Sequence, residues 1–530
     1  MQETFKKESE DKMKKRIFSM LLIAVMLMSA LASCTQIPQT LETPSTSVPT
    51  SATPTPTDIF GKYGLSEAPE HLKNLDFNGE EIGIIMSGGD KATRSIVACE
   101  CDCDYDNVYI RIRNGAVEEL LNVKLDYKGT VGTQGMISHM REYVASPDTS
   151  YDILGVYRYF DLGIAYDGDC MYALNKIEEK DMYLRPEADY WDTDAYDVLA
   201  LEGESYWITG DLSRSWLSSI FVSYVNKGLW KNYENEIAAI TGVEGDIYDL
   251  VYSGKWTIDL WCELNELVYV NNDGDETKVT PEDQHGFIGN SAASNINNFI
   301  VDGLFSGCHV TFSKKDASGA LVMDYNNKYL KDYSAATNKL FNESKSCTIP
   351  YNGDKTAWDV FADGNSLMTI NTLSIVESGD TTLNSGYYIL PPPKANKSQA
   401  DYATTVGDSV NMFGIPTKTE NLAAATATLE ALGFYSRDII TEEVYSRCLG
   451  TRYVNDGSDK ASEMLDFILS KIYTDFLLAN TGNFYESVSW YLRKNIGNTL
   501  VTSEAAIKEV AWGKYLNSLF EPIKDVGDLD

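Results

Sequence analysis

The chain is poor in histidine, in cationic residues and, past its first thirty-odd positions, in long apolar runs. Its 530 residues hold four His and 44 Lys or Arg against 78 Asp or Glu, a formal net charge of -34 at pH 7. Such a surface repels phosphate backbones and anionic headgroups, so nucleic acid is excluded as a partner and neutral or cationic ligands are favoured. No His-Glu-x-x-His, Gly-x-Ser-x-Gly or Walker loop occurs, so the usual local signatures of zinc, serine and nucleotide chemistry are missing. Paired carboxylates for glycoside hydrolysis leave no such signature, because spacing along the chain does not report a pair ~5 to 9 Å apart in space. Cysteine pairing is equally uninformative: eight Cys follow Cys34 at irregular intervals with no Cys-x-x-Cys, and a chain this long folds without disulfides. Cys99, Cys101 and Cys103 alternate with acids. Three thiols in a row suit a soft metal, but no fourth ligand is evident, and the stretch reads as a polar excursion within an insertion.

One apolar run stands out. Ile17 to Ala32 follows the basic cluster Lys14, Lys15 and Arg16 and ends in Leu31-Ala32-Ser33-Cys34. At about sixteen residues it falls short of the ~20 that span a bilayer. A basic start, a short apolar segment and small residues before a cut describe a secretory signal. The acids Glu3, Glu8, Glu10 and Asp11 are unusual ahead of such a start, so Met13 is the expected initiator. The Leu-Ala-Ser-Cys ending resembles a bacterial lipobox. That resemblance implies cleavage of residues 1–33, a diacylglycerol on the Cys34 thiol, and a body held at the outer face of the cytoplasmic membrane. Residues 1–33 carry six Lys or Arg and four Asp or Glu, so their removal takes the charge to -36.

Residues 34–58 are Thr, Ser and Pro with almost nothing apolar, an extended tether rather than a core. Beyond it, 43% hydrophobic and 11% aromatic content over this length predicts a large core and two or more lobes. Ile82, Ile84, Ile85 and Met86 read as a buried strand running into Ser87, Gly88 and Gly89. Further strands are expected at Asn122 to Tyr127 and Asp152 to Val156, with a helix at Met136 to Ala145 between them. Strands alternating with helices predict a mostly parallel sheet in an α/β lobe. Ligands of such sheets sit beyond the carboxyl ends of the strands, which makes Ser87, Gly88, Tyr157, Arg158 and Tyr159 candidate binding residues. The glycines do not form Gly-x-Gly-x-x-Gly, so a dinucleotide is not indicated. Later, Thr417-Lys-Thr-Glu420 has the form of a capping box before an Ala- and Leu-rich helix expected to stop near Gly433. Another helical region is expected from Ser462 to Ala479.

Gly203-Glu-Ser-Tyr-Trp-Ile-Thr-Gly-Asp211, then Trp216 and the apolar run from Ile220 to Val225, resembles the lobe crossing of family 1 extracellular solute-binding proteins, the maltodextrin-binding type that serve ABC importers. Gly254-Lys-Trp-Thr-Ile-Asp259, Met368-Thr-Ile-Asn371, Gly386-Tyr-Tyr-Ile-Leu-Pro-Pro-Pro-Lys394 and Ser489-Trp-Tyr-Leu-Arg493 resemble later segments in the same order. The likeness runs thinly over about residues 80 to 520. It implies a two-lobed, type II periplasmic-binding-protein-like α/β fold with hinge crossings, the first lobe at 59–206 and 372–432, the second at 211–368 and 434–525. It also implies a monomeric binder that captures a carbohydrate, an oligosaccharide above all, and delivers it to ABC permease subunits, with no catalysis and no required cofactor. Asp211, Trp216, Asn290, Ser291, Asn295, Trp490 and Tyr491 join the candidate ligand set. Maltodextrin binders place a Trp in the segment here running from Asn290 to Phe299, and that departure points away from maltodextrin. Aromatic faces at Tyr157, Tyr159, Trp216, Phe434, Tyr435, Trp490 and Tyr491 suit sugar C–H faces, and ordinary core packing explains each one singly as well. A surface glycoside hydrolase and a receptor without a transporter are the alternatives.

Asn271, Asp273, Asp275 and Glu282 stand at positions 1, 3, 5 and 12 of an EF-hand-like loop, a candidate Ca2+ site. The sixth position, Gly in that motif, is Glu276. A solvated turn explains the same residues.

Overall fold

The structure is a computed structural model, and it describes residues 65–494 except 89–95, 97–104, 133–134, 147–149, 167–169, 276–278, 292–298, 325–326, 346, 351–354, 378–382, 384, 408–409, 442–458 and 481–487. The signal, Cys34, the tether, Cys99, Cys101, Cys103, Gly89 and Asn295 lie outside the described residues. The strands are β1 (Glu80–Ser87), β2 (Val123–Val131), β3 (Ile153–Tyr157), β4 (Phe221–Asn226), β5 (His285–Ser291), β6 (Ser313–Lys315), β7 (Leu321–Met323), β8 (Cys347–Pro350), β9 (Ser366–Thr372), β10 (Tyr387–Leu390) and β11 (Asn411–Gly414). Helices that matter below are α1 (Tyr105–Leu121), α2 (Met136–Ala145), α3 (Thr193–Val198), α4 (Arg214–Ser218), α5 (Ile258–Val268), α6 (Phe299–Gly307), α7 (Leu422–Ser436), α8 (Lys460–Leu469), α9 (Phe476–Ala479) and α10 (Val488–Lys494).

Two sheets form. The first has the order β11-β3-β1-β2, with β1, β2 and β3 mutually parallel and β11 antiparallel at the edge. Ile82 to Ser87 are all buried, as a central parallel strand covered on both faces must be. The second has the order β10-β4-β9-β5-β8, where β5 runs parallel to β9 and β8 while β4 opposes β9 and β10. Tyr387 to Leu390 therefore belong to the second sheet, whereas the sequence placed 372–432 in the first lobe. Register explains the difference, since Tyr387 pairs with Asn226 and Leu390 with Ser223.

The chain passes between the sheets where its backbone pairs with itself. The first pass, 209–221, leaves the edge of β11, where Ile208 and Phe413 exchange N–H···O bonds of 2.9 and 2.8 Å. The return pass, described over 403–407 and 410–411, lies beside it: Phe221 N donates to Thr405 O at 3.2 Å and Gly407 N to Ser219 O at 2.8 Å. Lys471 to Tyr473 then pair with Thr404 from the other side, Thr404 N to Lys471 O and Tyr473 N to Thr404 O, both 2.9 Å. A narrow ribbon of backbone between two packed bodies is the geometry of a hinge.

Three helix expectations change. Asn421 caps α7 by accepting from Ala424 N and the helix begins at Leu422, so Thr417 to Glu420 lie ahead of its first turn and do not cap it. The helix runs past Gly433 to Ser436 and on into a π-helical turn, Arg437–Thr441. Gly433 is there for space: a Cβ on it would lie 2.2 Å from Trp191 Cζ2. Ser462 to Ala479 divides into α8 and α9, because Asp475 opens a new helix by accepting from Leu478 N.

Candidate ligand-binding site

Ser87 and Tyr157 end the adjacent strands β1 and β3, and the structure brings them together. Tyr157 N donates to Ser87 Oγ at 2.7 Å, and Ser87 Oγ donates to Asp161 Oδ2 at 2.5 Å. Gly88 follows at φ 110°, a left-handed turn favouring glycine. Asp161 is absent from the sequence-based set. It is fully buried, and burial pushes its carboxyl up to about 6, opposed by the Ser87 hydroxyl and the Tyr157 and Met136 amides. Ser87 is thus committed to Asp161, and Tyr157, half-buried, is the more accessible member.

Arg158 turns toward the return pass. Its Nη2 donates to Val406 O at 3.1 Å and its backbone N–H to Val410 O at 2.8 Å. Burial raises the Asp192 carboxyl, and the nearby Arg158 charge is one of the groups opposing that rise. Asp192 caps α3 through Ala195 N and accepts Trp216 Nε1 at 2.9 Å. Trp216, which opens α4 with its neighbours, is only 9% exposed. Its indole N–H bond to Asp192 fixes the ring and its burial leaves little face exposed, so it stands as a wall of the hinge rather than a free platform.

Asp211 is also buried. Arg437 Nε donates to its Oδ2 at 2.9 Å, and burial, opposed by that guanidinium, raises its carboxyl to about 6. Asn411 binds the two passes: its N–H faces the hydroxyls of Ser213 and Ser215 at 3.3 and 3.2 Å, and its carbonyl accepts from Thr209 Oγ1 at 2.8 Å. Arg437 and Asn411 escaped sequence reading because neither sits in a motif.

In the second body, Asn290 and Ser291 lie at the carboxyl end of β5, paired in register with Ile349 and Pro350, the end where a parallel pair offers a ligand site. Trp490 and Tyr491 lie on α10. Tyr491 is buried; the side chains of Tyr159, Asn290, Ser291 and Trp490 lie outside the described residues. Helix α10 is fixed to α6 by a buried ion pair, Arg493 Nε to Asp302 Oδ1 at 2.7 Å with Arg493 Nη2 on Oδ2. Phe434 meets Tyr190 edge to face at 5.7 Å, and Tyr435 is fully buried, so both serve the core.

Within the acid-rich loop Asn271 and Asp273 spend their side chains on their neighbours. Asn271 Oδ1 accepts from Gly274 N, Asp273 Oδ1 from Asp275 N and Asp273 Oδ2 from Thr280 Oγ1, each at 2.7 Å. The carboxylate that closes it is Asp283, accepting from Asn272 N, Thr280 N and Tyr269 Oη at 2.9 to 3.0 Å. Among the described residues no three His, Cys, Asp or Glu side chains converge as a metal site requires.

No protein-family model matches the sequence, and no curated protein does. Solved structures do. A sugar transporter protein from Rhizobium etli in an open conformation is 14% identical, over 84% of this chain and all of its own, with a TM-score of 0.51. An extracellular solute-binding protein from Staphylococcus aureus, solved with maltose, is 10% identical over 82% of this chain and 98% of its own, with a TM-score of 0.50. A family 1 extracellular solute-binding protein from Bifidobacterium longum subsp. infantis is 11% identical over 82% of this chain and all of its own, also with a TM-score of 0.50. At such identity the likeness establishes architecture alone: the chain has the two-lobed α/β fold of the extracellular solute-binding proteins.

Proposed function

We propose that this chain is the substrate-binding lipoprotein of an ABC importer, closing two lobes over one carbohydrate molecule, and that Cys34 tethers it to the outer face of a bacterial cytoplasmic membrane. The observation that carries the reading is the ribbon of paired passes between two α/β sheets, with polar and aromatic residues at the carboxyl ends of β1, β3 and β5. A ligand shifts an open–closed equilibrium only by its differential affinity for the two states, so a ligand touching both lobes is what this architecture can convert into closure. The strongly acidic surface favours a neutral ligand over an anionic one, and Tyr157 with Trp490 supplies aromatic faces for sugar C–H groups.

The test is a thermal-shift screen of neutral oligosaccharides beside peptides, polyamines and amino acids, followed by small-angle scattering. A glycan hit with a smaller radius of gyration and unchanged glycan length is expected. A hit confined to peptides or polyamines would overturn the ligand class. A shortened oligosaccharide would reveal a hydrolase instead. Trp490→Ala should weaken glycan binding by ~1 to 3 kcal/mol if the ring is a stacking platform, with the melting temperature of the free protein unchanged.

A further inference from the structure

The hinge contains a charge pair, a buried Asp211 carboxylate held by a half-exposed Arg437, that no ligand-binding role explains. Asp211 lies in the first pass, just beyond the residues that pair with β11, and its backbone N–H donates to Tyr190 O at 3.0 Å. Arg437 opens the π-helical turn at the end of α7. Besides Nε on Asp211 Oδ2, its Nη1 meets Asp189 Oδ2 at 2.5 Å and its Nη2 donates to Asp189 O. The neighbouring Asp438 accepts Ser66 N at 2.7 Å. A single turn thus ties together the start of the folded body, the 189–191 segment and the first pass. π-Turns inside helices concentrate at functional positions.

The geometry points to Arg437 as a positioning residue of the hinge: by clamping Asp211 beside Asp189 it fastens the first pass to the first-sheet body and sets where the chain begins to flex. With the clamp closed, residues 209–211 move with α7, and bending is confined to the stretch between Ser213, held by Asn411, and β4. With it open, Asp211 keeps only its backbone bond to Tyr190 O, the first pass is held by its backbone bonds and by Thr209, Ser213, Ser215 and Trp216, the flexible stretch lengthens, and closure must order more chain. The ionisable groups facing Asp211 are Arg437 and Asp189, with the Thr441 hydroxyl also near. Asp211 loses its charge as pH falls through about 6, which removes the ionic half of the clamp. The functional meaning rests on the solute-binding reading, but the clamp itself can be measured without ligand, so the two can fail separately.

Amide hydrogen exchange on the full ligand-free chain decides it, comparing parent, Arg437→Ala, Arg437→Lys and Asp211→Asn near pH 7.5 and near pH 5, with exchange times scaled for intrinsic rates. Arg437→Ala is expected to speed exchange in 209–221 and 403–411 by roughly five- to tenfold, leaving β1 and β9 unchanged. Arg437→Lys, which keeps the charge but not the fork, should lie between. Around Asp211 the parent near pH 5 should match Asp211→Asn near pH 7.5, and Arg437→Ala should respond less to pH there than the parent does, Asp192 beside Trp216 supplying the remainder. Unchanged exchange in the passes would overturn the proposal. So would an equal rise in β1 and β9, an Arg437→Lys as fast as Arg437→Ala, or a pH response around Asp211 as large in Arg437→Ala as in the parent.

Discussion

Gly433→Ala is a sharp probe of how α7 is packed, because two rules of thumb disagree about it. An interior helical Gly replaced by Ala ordinarily gains about 1 kcal/mol. Here the new methyl would lie 2.2, 2.4 and 2.9 Å from Cζ2, Cη2 and Cε2 of Trp191, and the ring cannot retreat freely. Trp191 is buried and its Nε1 donates at 3.1 Å to Oε2 of Glu430. Glu430, fully buried, also accepts from Tyr190 Oη at 2.5 Å and Arg185 N at 3.0 Å. Forcing an extra methyl into a packed core costs about 1 to 3 kcal/mol. Swinging the indole away strips a donor from a buried carboxylate, a further ~1 to 3 kcal/mol. Set against the propensity gain, a net loss of about 3 kcal/mol is expected. Gly115→Ala supplies the control, since that helical glycine has nothing within 4 Å of its added Cβ and should gain ~0.5 to 1 kcal/mol. Equilibrium urea unfolding followed by tryptophan fluorescence, with the slope m checked for constancy, measures both. A Gly433→Ala protein as stable as the parent would refute the reasoning.

Arg493→Ala leaves the buried Asp302 carboxylate without its fork, and a loss of about 3 to 5 kcal/mol is expected, read as a fall in the urea midpoint; a loss below 1 kcal/mol would mean that α10 is not held by this pair. Asp161 is raised to about 6 in the folded state against ~3.9 unfolded. The stability it contributes is therefore present below the unfolded value and lost as pH rises through about 6, to a ceiling of ~3 kcal/mol. Asp161→Asn should accordingly be the more stable protein near pH 8 and equal the parent near pH 4, and a constant difference across that range would exclude the linkage. Asp283→Ala should loosen the 271–283 loop by ~2 to 4 kcal/mol, from amides left unpaired, by the same amount in calcium and in chelator. Calcium that raises the melting temperature of the parent but not of Asp273→Asn would show that the loop takes a cation after all.

The backbone plan was largely legible in the sequence because it rests on local periodicity. The run from Ile82 to Met86 and the amphipathic Met136 to Ala145 carry their structure within a few residues, and α2 begins and ends where expected. The order of segments from Gly203 to Arg493 carried the rest of the architecture. What failed was set by partners far away in the chain. Gly433 has the signature of a helix end, and only Trp191, some 240 residues earlier, turns it into an interior glycine. Tyr387 to Leu390 look like any short buried strand, and only their register against Asn226 to Ser223 assigns them to the second sheet.

The same distance from partners governs the candidate site residues. Residue type told which side chains could serve a sugar, but not which were already spent. Trp216 has the right chemistry for stacking until the fold buries its faces, with its N–H on Asp192. Asp211 has it for a hydroxyl until Arg437 takes its carboxylate. Both losses fall in the first pass, where backbone must cross between bodies and buried polar groups must be satisfied locally. A hinge recruits the polar and aromatic residues that a reader of sequence would give to the ligand. Candidates next to a crossing are therefore discounted toward positioning roles. The Asn290–Ser291 pair, at a strand end away from it, keeps the stronger claim to contact the ligand, whereas Tyr157 pairs in register with Asn411 and stands at the crossing itself.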